Sequence, residues 1–236
     1  MTKHTNSLGQ PIGYPVENWQ ACDWPPHTAI TGRYCTLEAT QLAHAPQLFE
    51  AFVTQGHDRY WTYLPYGPFE NLEQFQVWLS DTTQAKDPQF YTVFDANSKT
   101  AVGLASYLRI TPNIGSIEVG HIHFSTLMQK TPIATETMFL MMQRAFDQLG
   151  YRRYEWKCDS LNAPSRKAAL RLGFQHEGVF RQHTMYKGRS RDTAWFSILD
   201  SEWPALKEAF EAWLAPSNFD ANGQQKQSLG ALQTRS

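Results

Sequence analysis

The stretch CDSLNAPSRKAALRLGF, residues 158–174, decides how the rest of the chain is interpreted. It begins with polar residues, continues with apolar residues at helical spacing and ends on Leu-Gly-Phe. Asn162 is a good N-cap, and Pro164 is tolerated in a first helical turn because its missing N–H would have no partner there. Gly173 can adopt the left-handed conformation that ends a helix. The pattern predicts a short helix over 163–172 that follows directly on a strand.

Two polar side chains stand at the start of this helix. Asn162 and Ser165 both lie at its open end, just past the carboxyl edge of a strand predicted over 152–158. Ligands tend to bind at such edges of open sheets. A purely structural explanation is also available, in which Asn162 caps the helix and Ser165 supports the cap. The two explanations stay open at this point.

Hydrophobic periodicity divides the remaining chain into strands and helices. Strands are predicted over 28–39, 90–95, 100–110, 116–124, 152–158, 174–186 and 193–200. Helices are predicted over 40–55, 71–85, 132–149, 163–172 and 203–214. Short turns join the three strands between 90 and 124, so these strands should be antiparallel neighbours. The order β-α-α-β-β-β-α-β-α-β-β predicts an α+β chain with a mixed sheet.

The two ends of the chain differ from this body. Residues 1–27 are rich in proline and tryptophan, and we expect an irregular arm that packs on the domain. Residues 28–214 should form one domain. Residues 215–236 lack an apolar period, which predicts a disordered tail.

Composition limits the classes of function. The formal net charge of −1 provides no sustained basic field, so a nucleic-acid partner is not expected. The three cysteines have no CxxC spacing, which is typical of reduced thiols in a cytoplasmic protein. The first residues lack the apolar run of a signal peptide, and no segment approaches the ~18 apolar residues of a membrane helix. We therefore expect a cytoplasmic protein without a membrane partner.

The opening stretch resembles a known family. Asn162 and Ser165, followed by Leu-Gly-Phe at 172–174 and Glu-Gly at 177–178, resemble the N-x-x-S…L-G-F…E-G pattern of GNAT N-acetyltransferases, in the RimJ/RimL-like branch of ribosomal-protein-alanine acetyltransferases. The resemblance covers roughly residues 28–200. It implies a GNAT-like, mostly antiparallel mixed sheet flanked by helices. It also implies an acetyl-CoA site in a V-shaped opening between the strands over 116–124 and 152–158. The side chains of Asn162 and Ser165 would reach the pantetheine arm and the thioester there.

The family's phosphate loop should lie before the helix over 132–149. The resemblance assigns cofactor contacts to Phe124 and Ser125 at the strand end, and to Gln129, Lys130, Thr131, Ile133, Ala134 and Thr135. Backbone N–H groups at a helix start favour a pyrophosphate. Pro132 stands where the family has glycine and removes one such donor. An ordinary helix start with a threonine cap explains the same residues.

The resemblance also implies direct attack of an amine on acetyl-CoA, without an acyl-enzyme. A backbone N–H between His123 and Ser125 is the expected oxyanion donor. Glu118 is the first candidate for the general base, and His121 or His123 could replace it if the strand bulges. Ala169 stands where many relatives have an acidic tyrosine, which leaves Ser165 or solvent to protonate the leaving sulfur. No third ligand accompanies the histidine pair at a persuasive spacing, so no metal is expected.

The acceptor should be a primary amine, either a protein N-terminus or a small molecule. Four aromatic residues could line its site or belong to the core: Trp61, Tyr63, Tyr66 and Phe69. The active unit would be a monomer or a homodimer. The alternative is a non-catalytic module with the same fold that binds acyl-CoA or peptides.

Overall fold

A mixed sheet of eight strands forms the centre of the computed structural model, which describes residues 4–233. Its strand order is β3-β4-β5-β6-β7-β8-β10-β9. The strands are β3 (Ile30–Thr31), β4 (Cys35–Ala39), β5 (Gln89–Asp95), β6 (Ala101–Thr111), β7 (Ser116–Phe124), β8 (Arg153–Asp159), β9 (Gln175–Tyr186) and β10 (Arg189–Leu199). A separate small hairpin joins β1 (His4–Thr5) to β2 (Pro11–Ile12).

Helices cover both faces of this sheet. They are α1 (Ala45–Phe49), α2 (Leu72–Gln84), α3 (Pro132–Gln143), α4 (Ala163–Arg171), α5 (Trp203–Leu214) and α6 (Leu229–Gln233). Helices α3 and α5 enclose the larger hydrophobic core, whereas α1 and α2 enclose a second core against β5 and β6. The predicted α+β order with a mixed sheet is confirmed. Within the described part of the chain, every helix is too short or too polar to cross a lipid bilayer.

Strands β7 and β8 run side by side for only part of their length. They pair in parallel from Ser116 with Arg153 to Val119 with Trp156, and β7 then continues to Phe124 along β6. Beyond Val119, the register between β6 and β7 shifts, and His121 has a φ of +50°. Such an irregularity is a β-bulge, which bends its strand. The structure therefore contains the opening that was predicted between these two strands.

The strand predicted over 28–39 is split in two by a turn. The buried carboxylate of Glu136, in α3, accepts backbone N–H bonds at 2.9, 2.6 and 2.8 Å from Arg33, Tyr34 and Cys35. A Cβ on Gly32 would lie 2.6 Å from that carboxylate, so the turn needs glycine at this position. These bonds fix the β3–β4 hairpin to the start of α3.

The helix predicted over 40–55 is also irregular. Its segments are a 3-10 turn (Leu42–His44), α1, and a π-helical turn (Glu50–Thr54). Pro46 lies in the first turn of α1 and has no N–H to continue the preceding hydrogen-bond ladder. A π-helical turn (Arg144–Gln148) similarly extends α3.

The C-terminal segment differs from the predicted disorder. Residues 215–233 fold back on α5, where the Phe219 ring lies 5.2 Å from that of Trp213 and Leu229 is buried. The Asn218 side chain donates to the carbonyl of Trp213 at 3.0 Å. Two apolar anchors and side-chain bonds to the backbone order this segment without any apolar period. The rest of the predicted tail, 234–236, lies outside the described residues.

The N-terminal arm packs on the domain through its second half. Cys22 and Trp24 lie against the larger core, and Trp19 donates its indole N–H to the carbonyl of Asn113 at 2.8 Å. Buried Arg144 donates to the carbonyls of Pro26, Thr28 and Ala29 at 2.8–3.3 Å. One guanidinium thus holds the chain where the arm enters the domain.

Candidate functional site

The start of α4 has the geometry that its sequence predicts. Asn162 Oδ1 accepts the backbone N–H of Ser165 at 3.1 Å, which is the capping bond. Ser165 Oγ accepts the indole N–H of Trp156 at 3.0 Å, so its orientation is fixed by β8. Gly173 ends the helix with a φ of +93°. Both polar residues of the motif lie partly exposed beside the end of β8.

The loop before α3 is held by its own side chains. Gln129 donates to the carbonyl of Phe124 at 2.6 Å, and Thr131 Oγ1 donates to that of Met128 at 2.7 Å. Thr131 occupies the N-cap position of α3, but its hydroxyl makes no capping bond. The expected threonine cap is therefore absent, and its expected contact with the cofactor stays a prediction. The exposed Lys130 has a φ of +62°.

The first turn of α3 can receive an anion. The N–H groups of Ile133 and Ala134 have no intrahelical acceptor at these positions, and the helix dipole favours negative charge there. Thr135 is different, because its buried hydroxyl accepts a hydrogen bond from Arg171 at 3.1 Å. That side chain therefore connects α3 with α4, and a cofactor contact of Thr135 stays a prediction.

The backbone N–H groups at the end of β7, which include the expected oxyanion donors, differ in their hydrogen bonds. Ser125 N–H donates to the carbonyl of Val102 at 3.1 Å, so this group is engaged with β6. Hydrogen-bonding direction alternates along an antiparallel pair, so the N–H of Phe124 points to the other edge, towards the opening. The N–H of Ser125 is thus engaged within the sheet, and a role of the Phe124 N–H as oxyanion donor stays a prediction. The side chain of Ser125 is buried.

Glu118 lies in β7 with its side chain 3% exposed, between two cations. Arg109 of β6 lies 2.8 Å from one carboxylate oxygen, and Lys157 of β8 lies 2.8 Å from the other. Burial raises the pKa of Glu118, and the charges of Lys157 and Arg109 oppose that rise. Sequence analysis missed Lys157, because alternation along β8 does not show which residue of β7 it faces.

The two histidines of β7 lie on the same side of the sheet as the second core, where His123 is buried and His121 is partly exposed. His121 Nδ1 lies 3.2 Å from the hydroxyl of Tyr66, and burial lowers the pKa of His121 to about 4. The ring of His123 stacks 4.0 Å from that of Phe52, and burial lowers the pKa of His123 to about 3. Both rings are therefore neutral at physiological pH.

The aromatic loop after α1 is mainly part of the core. Trp61 is buried in the second core, and Tyr66 and Phe69 pack against that core. Tyr63 is the exception among these four, since its hydroxyl donates to the carbonyl of Leu161 at 3.1 Å. The alternative that these aromatic residues belong to the core is therefore supported for three of them.

The same loop is attached to other connections of the sheet by side-chain hydrogen bonds. Lys187, in the β9–β10 turn, donates to the carbonyl of Trp61 at 2.7 Å, and Arg189 donates to that of Thr62 at 3.0 Å. Together with the bond from Tyr63 to Leu161, these bonds attach the loop to the β8–α4 connection and to the β9–β10 turn.

Two hollows on the surface lie away from these residues. A groove of about 310 Å³ lies between α1 and Leu127, and one of about 650 Å³ lies beside Tyr14 and Arg152. Neither is lined by Glu118 or Asn162. Across residues 4–233, no cluster of three histidine, cysteine or acidic residues could hold a metal ion.

Comparison with known proteins identifies the family. The model of the acetyltransferase (GNAT) domain matches residues 35–175. A GCN5-related N-acetyltransferase structure from Brucella melitensis is 46% identical, with a TM-score of 0.91 over 93% of this chain and 100% of that chain. A GNAT-family structure from Chromobacterium violaceum is 42% identical, with a TM-score of 0.77 over 83% and 98%.

A curated relative is more distant. The uncharacterized N-acetyltransferase p20 of Bacillus licheniformis is 23% identical over 71% of this chain and 94% of its own. The family model spans most of the chain, from β4 to the start of β9, and includes both the opening and the α4 motif. The predicted fold is thereby confirmed, and the chain belongs to the GNAT family of acetyltransferases.

Proposed function

We propose that this protein transfers an acetyl group from acetyl-CoA to a primary amine by direct attack within a ternary complex. The observation that carries the proposal is the separation of β7 from β8 beyond the pair of Val119 and Trp156. The separation exposes the edge of β7 between the N-terminal ends of α3 and α4. A thioester held there would have the buried carboxylate of Glu118 on the strand that lines it.

Acetyl-CoA suits the groups along this opening. The N–H groups of Ile133 and Ala134, with the charge of Lys130, would bind its pyrophosphate, assisted by Gln129, Thr131 and Thr135. Asn162 and the backbone of Phe124 would bind the pantetheine arm. A structural neighbour with 20% identity and a TM-score of 0.63, the microcin C7 self-immunity acetyltransferase MccE, is in complex with acetyl-CoA and AMP. That level of identity supports the fold, and the cofactor contacts rest on this chain's own groups.

The reaction requires two proton transfers. The amine nitrogen attacks the thioester carbon, and the N–H of Phe124 stabilises the developing oxyanion. Glu118 accepts the amine proton, while the C–S bond breaks and the thiolate takes a proton from Ser165 or from solvent. Ala169 is fully buried, so the position that carries an acidic tyrosine in many relatives has no such role here. His121 is the second candidate base.

The acceptor would be a protein N-terminus or a small amine. The sequence motif favours the RimJ/RimL-like branch, and a structure from Vibrio cholerae described as a candidate ribosomal-protein-serine acetyltransferase is 19% identical. This identity supports the fold alone, so both acceptor classes belong in the test. A cytoplasmic location and a monomeric or homodimeric state likewise remain predictions.

The test is release of free thiol from acetyl-CoA in the presence of peptides and small amines. We expect thiol release that depends on one acceptor class, with the acetylated amine identified by mass spectrometry. Glu118→Gln should abolish most of this turnover and retain binding of acetyl-CoA. Pro132 and Ala169 favour the second candidate, a non-catalytic acyl-CoA-binding module. That candidate predicts binding of acetyl-CoA without thiol release for any amine.

A further inference from the structure

A row of alternating charges crosses the sheet at the base of the opening. Arg109, Glu118, Lys157, Glu155 and Arg153 follow one another across β6, β7 and β8, and every neighbouring pair is within 2.8 Å. Arg153 continues the row to Glu177 in β9 at 2.6 Å. Lys157 is the middle cation, and it is the member of the row that connects the two strands that separate.

We propose that Lys157 is a positioning residue, which holds the carboxylate of Glu118 ionised and aimed at the acceptor side of the opening. This inference rests on the proposed function, because it assigns to Glu118 the role of general base. Lys157 does not itself touch the reacting atoms. It acts through Glu118.

The surroundings of Lys157 show why it is fixed. Its side chain is 5% exposed, and its ammonium lies 2.8 Å from Glu118, 2.7 Å from Glu155 and 3.8 Å from the ring centre of Trp195. A buried ammonium needs such partners because burial without them is costly. The ammonium and the carboxylate of Glu118 form an ion pair.

The position of Lys157 along β8 also matters. It follows Trp156, the last residue that pairs with β7, so it lies where the two strands begin to separate. Glu155, two residues earlier in the same strand, would suffice as a local partner. The additional pair with Glu118 connects β8 to β7 across the base of the opening. This link fixes the carboxylate relative to the edge that would receive the thioester.

The two cations beside Glu118 differ in their expected strength. Arg109 has a side chain that is 56% exposed, so water and salt screen its charge more than that of Lys157. Burial raises the pKa of Glu118, and Lys157 is the largest influence against that rise. Other charged groups near Glu118 are Glu155, beyond Lys157, and Asp87, which accepts the N–H of Arg109. Loss of Lys157 should therefore favour protonated Glu118.

The test compares the pH dependence of kcat/KM in three variants and a control. Lys157→Met should move the acid limb of kcat/KM to higher pH by about one unit or more, which is a loss of roughly tenfold on that limb. Lys157→Arg retains the charge and should restore most of the profile. Glu155→Gln removes a competing anion, so the acid limb should move to lower pH. Lys207→Met is the matched control, because Lys207 pairs with Asp147 far from the opening and is partly exposed.

A second measurement does not need an acceptor. Carbon-13 NMR of labelled glutamate carboxyls, with the Glu118 signal assigned through Glu118→Gln, reports its titration directly. We expect the signal of Glu118 to titrate at higher pH in Lys157→Met and at lower pH in Glu155→Gln. If either variant fails to fold, the other still tests the sign of the shift.

The possible failures can be distinguished. An inactive wild-type protein whose Glu118 titration responds as expected would contradict the proposed function and leave the link between the two residues intact. An active protein whose acid limb and NMR titration are the same in all variants would overturn the role of Lys157. A uniform loss of kcat at every pH, without a shift in titration, would also overturn it, because that result indicates a purely structural contact.

Discussion

The buried His123 gives a prediction about stability that is independent of any substrate. Its ring lies 4.0 Å from the ring centre of Phe52 and 4.2 Å from that of Trp61, in the second core. Burial lowers its pKa from 6.5 to about 3 in the folded protein. The perturbation is His123→Phe, which retains an aromatic ring between these two neighbours and removes the titrating group.

The size of the effect follows from proton linkage. A histidine with a depressed folded pKa contributes stability that is complete at high pH. As pH falls below the unfolded value, the unfolded chain takes up a proton that the folded chain excludes, so stability declines. At about pH 5 this loss amounts to about 2 kcal/mol for one histidine. Because this pH is well above the folded pKa of about 3, the loss depends mainly on the unfolded pKa.

The assay is urea unfolding of both proteins at about pH 8 and pH 5. We expect the wild-type protein to lose about 2 kcal/mol more than His123→Phe between these conditions. His121 and the carboxyl groups titrate in both proteins, so their contributions cancel in the comparison. Phe52→Leu is the control, since it disturbs the same packing and should lower stability equally at both pH values. Equal pH dependence of the wild type and His123→Phe would refute the reasoning.

Four further predictions concern the cofactor site, the candidate base and the anchor of α3. Acetyl-CoA at a hundredfold excess over its Kd should stabilise the fold by about 2.7 kcal/mol, and an unchanged melting temperature would contradict binding. Asn162→Ala should cost about 1 kcal/mol as a lost cap and also raise KM for acetyl-CoA, whereas a cap without a ligand role leaves KM unchanged. Glu118→Gln should lower turnover roughly a hundredfold. Turnover should recover at high pH, because the amine then arrives deprotonated. Unchanged turnover would transfer the role of general base to His121. Glu136→Gln should destabilise the protein by about 2 kcal/mol in urea unfolding, because its carboxylate accepts three backbone N–H bonds, and a loss within experimental error would contradict that role.

Local sequence signals were sufficient to predict the bounds of α4, the part of the candidate site that contains Asn162 and Ser165. Asn162, Pro164 and Gly173 each act through their own backbone neighbourhood, so their types predict the start and the end of the helix. The alternation of apolar residues likewise predicted the antiparallel strands around β6, because short turns determine which strands are neighbours. These features depend on residues that are close in the sequence.

Other features of the site depend on register between distant segments. The pair of Lys157 with Glu118 joins two parallel strands that are separated by α3, and no short turn sets their register. The positive φ of His121 comes from a bulge that the sequence only allowed as a possibility. Similarly, the engagement of Ser125 N–H with Val102 follows from pairing along β6 and β7, which single-strand patterns do not contain.

The ordered C-terminal segment shows a different limit. The lack of an apolar period over 215–236 predicted disorder there. In the structure, Phe219 and Leu229 are enough to anchor it, since each meets an existing apolar surface and Asn218 satisfies two backbone carbonyls. Average hydrophobicity does not describe such a segment, because its order depends on a few contacts with α5.

Desolvation affects the three ionisable residues of β7, with opposite consequences for catalysis. Burial lowers the pKa of His121 to about 4 and that of His123 to about 3, which makes each a weaker base than a free imidazole. Burial raises the pKa of Glu118, which makes it a stronger base than an ordinary carboxylate. A general base is most effective when its pKa lies near the working pH. The charges of Lys157 and Arg109 limit this rise, because they favour the ionised carboxylate. These opposite shifts favour Glu118 over both histidines as the general base, on physical grounds that the motif alone did not provide.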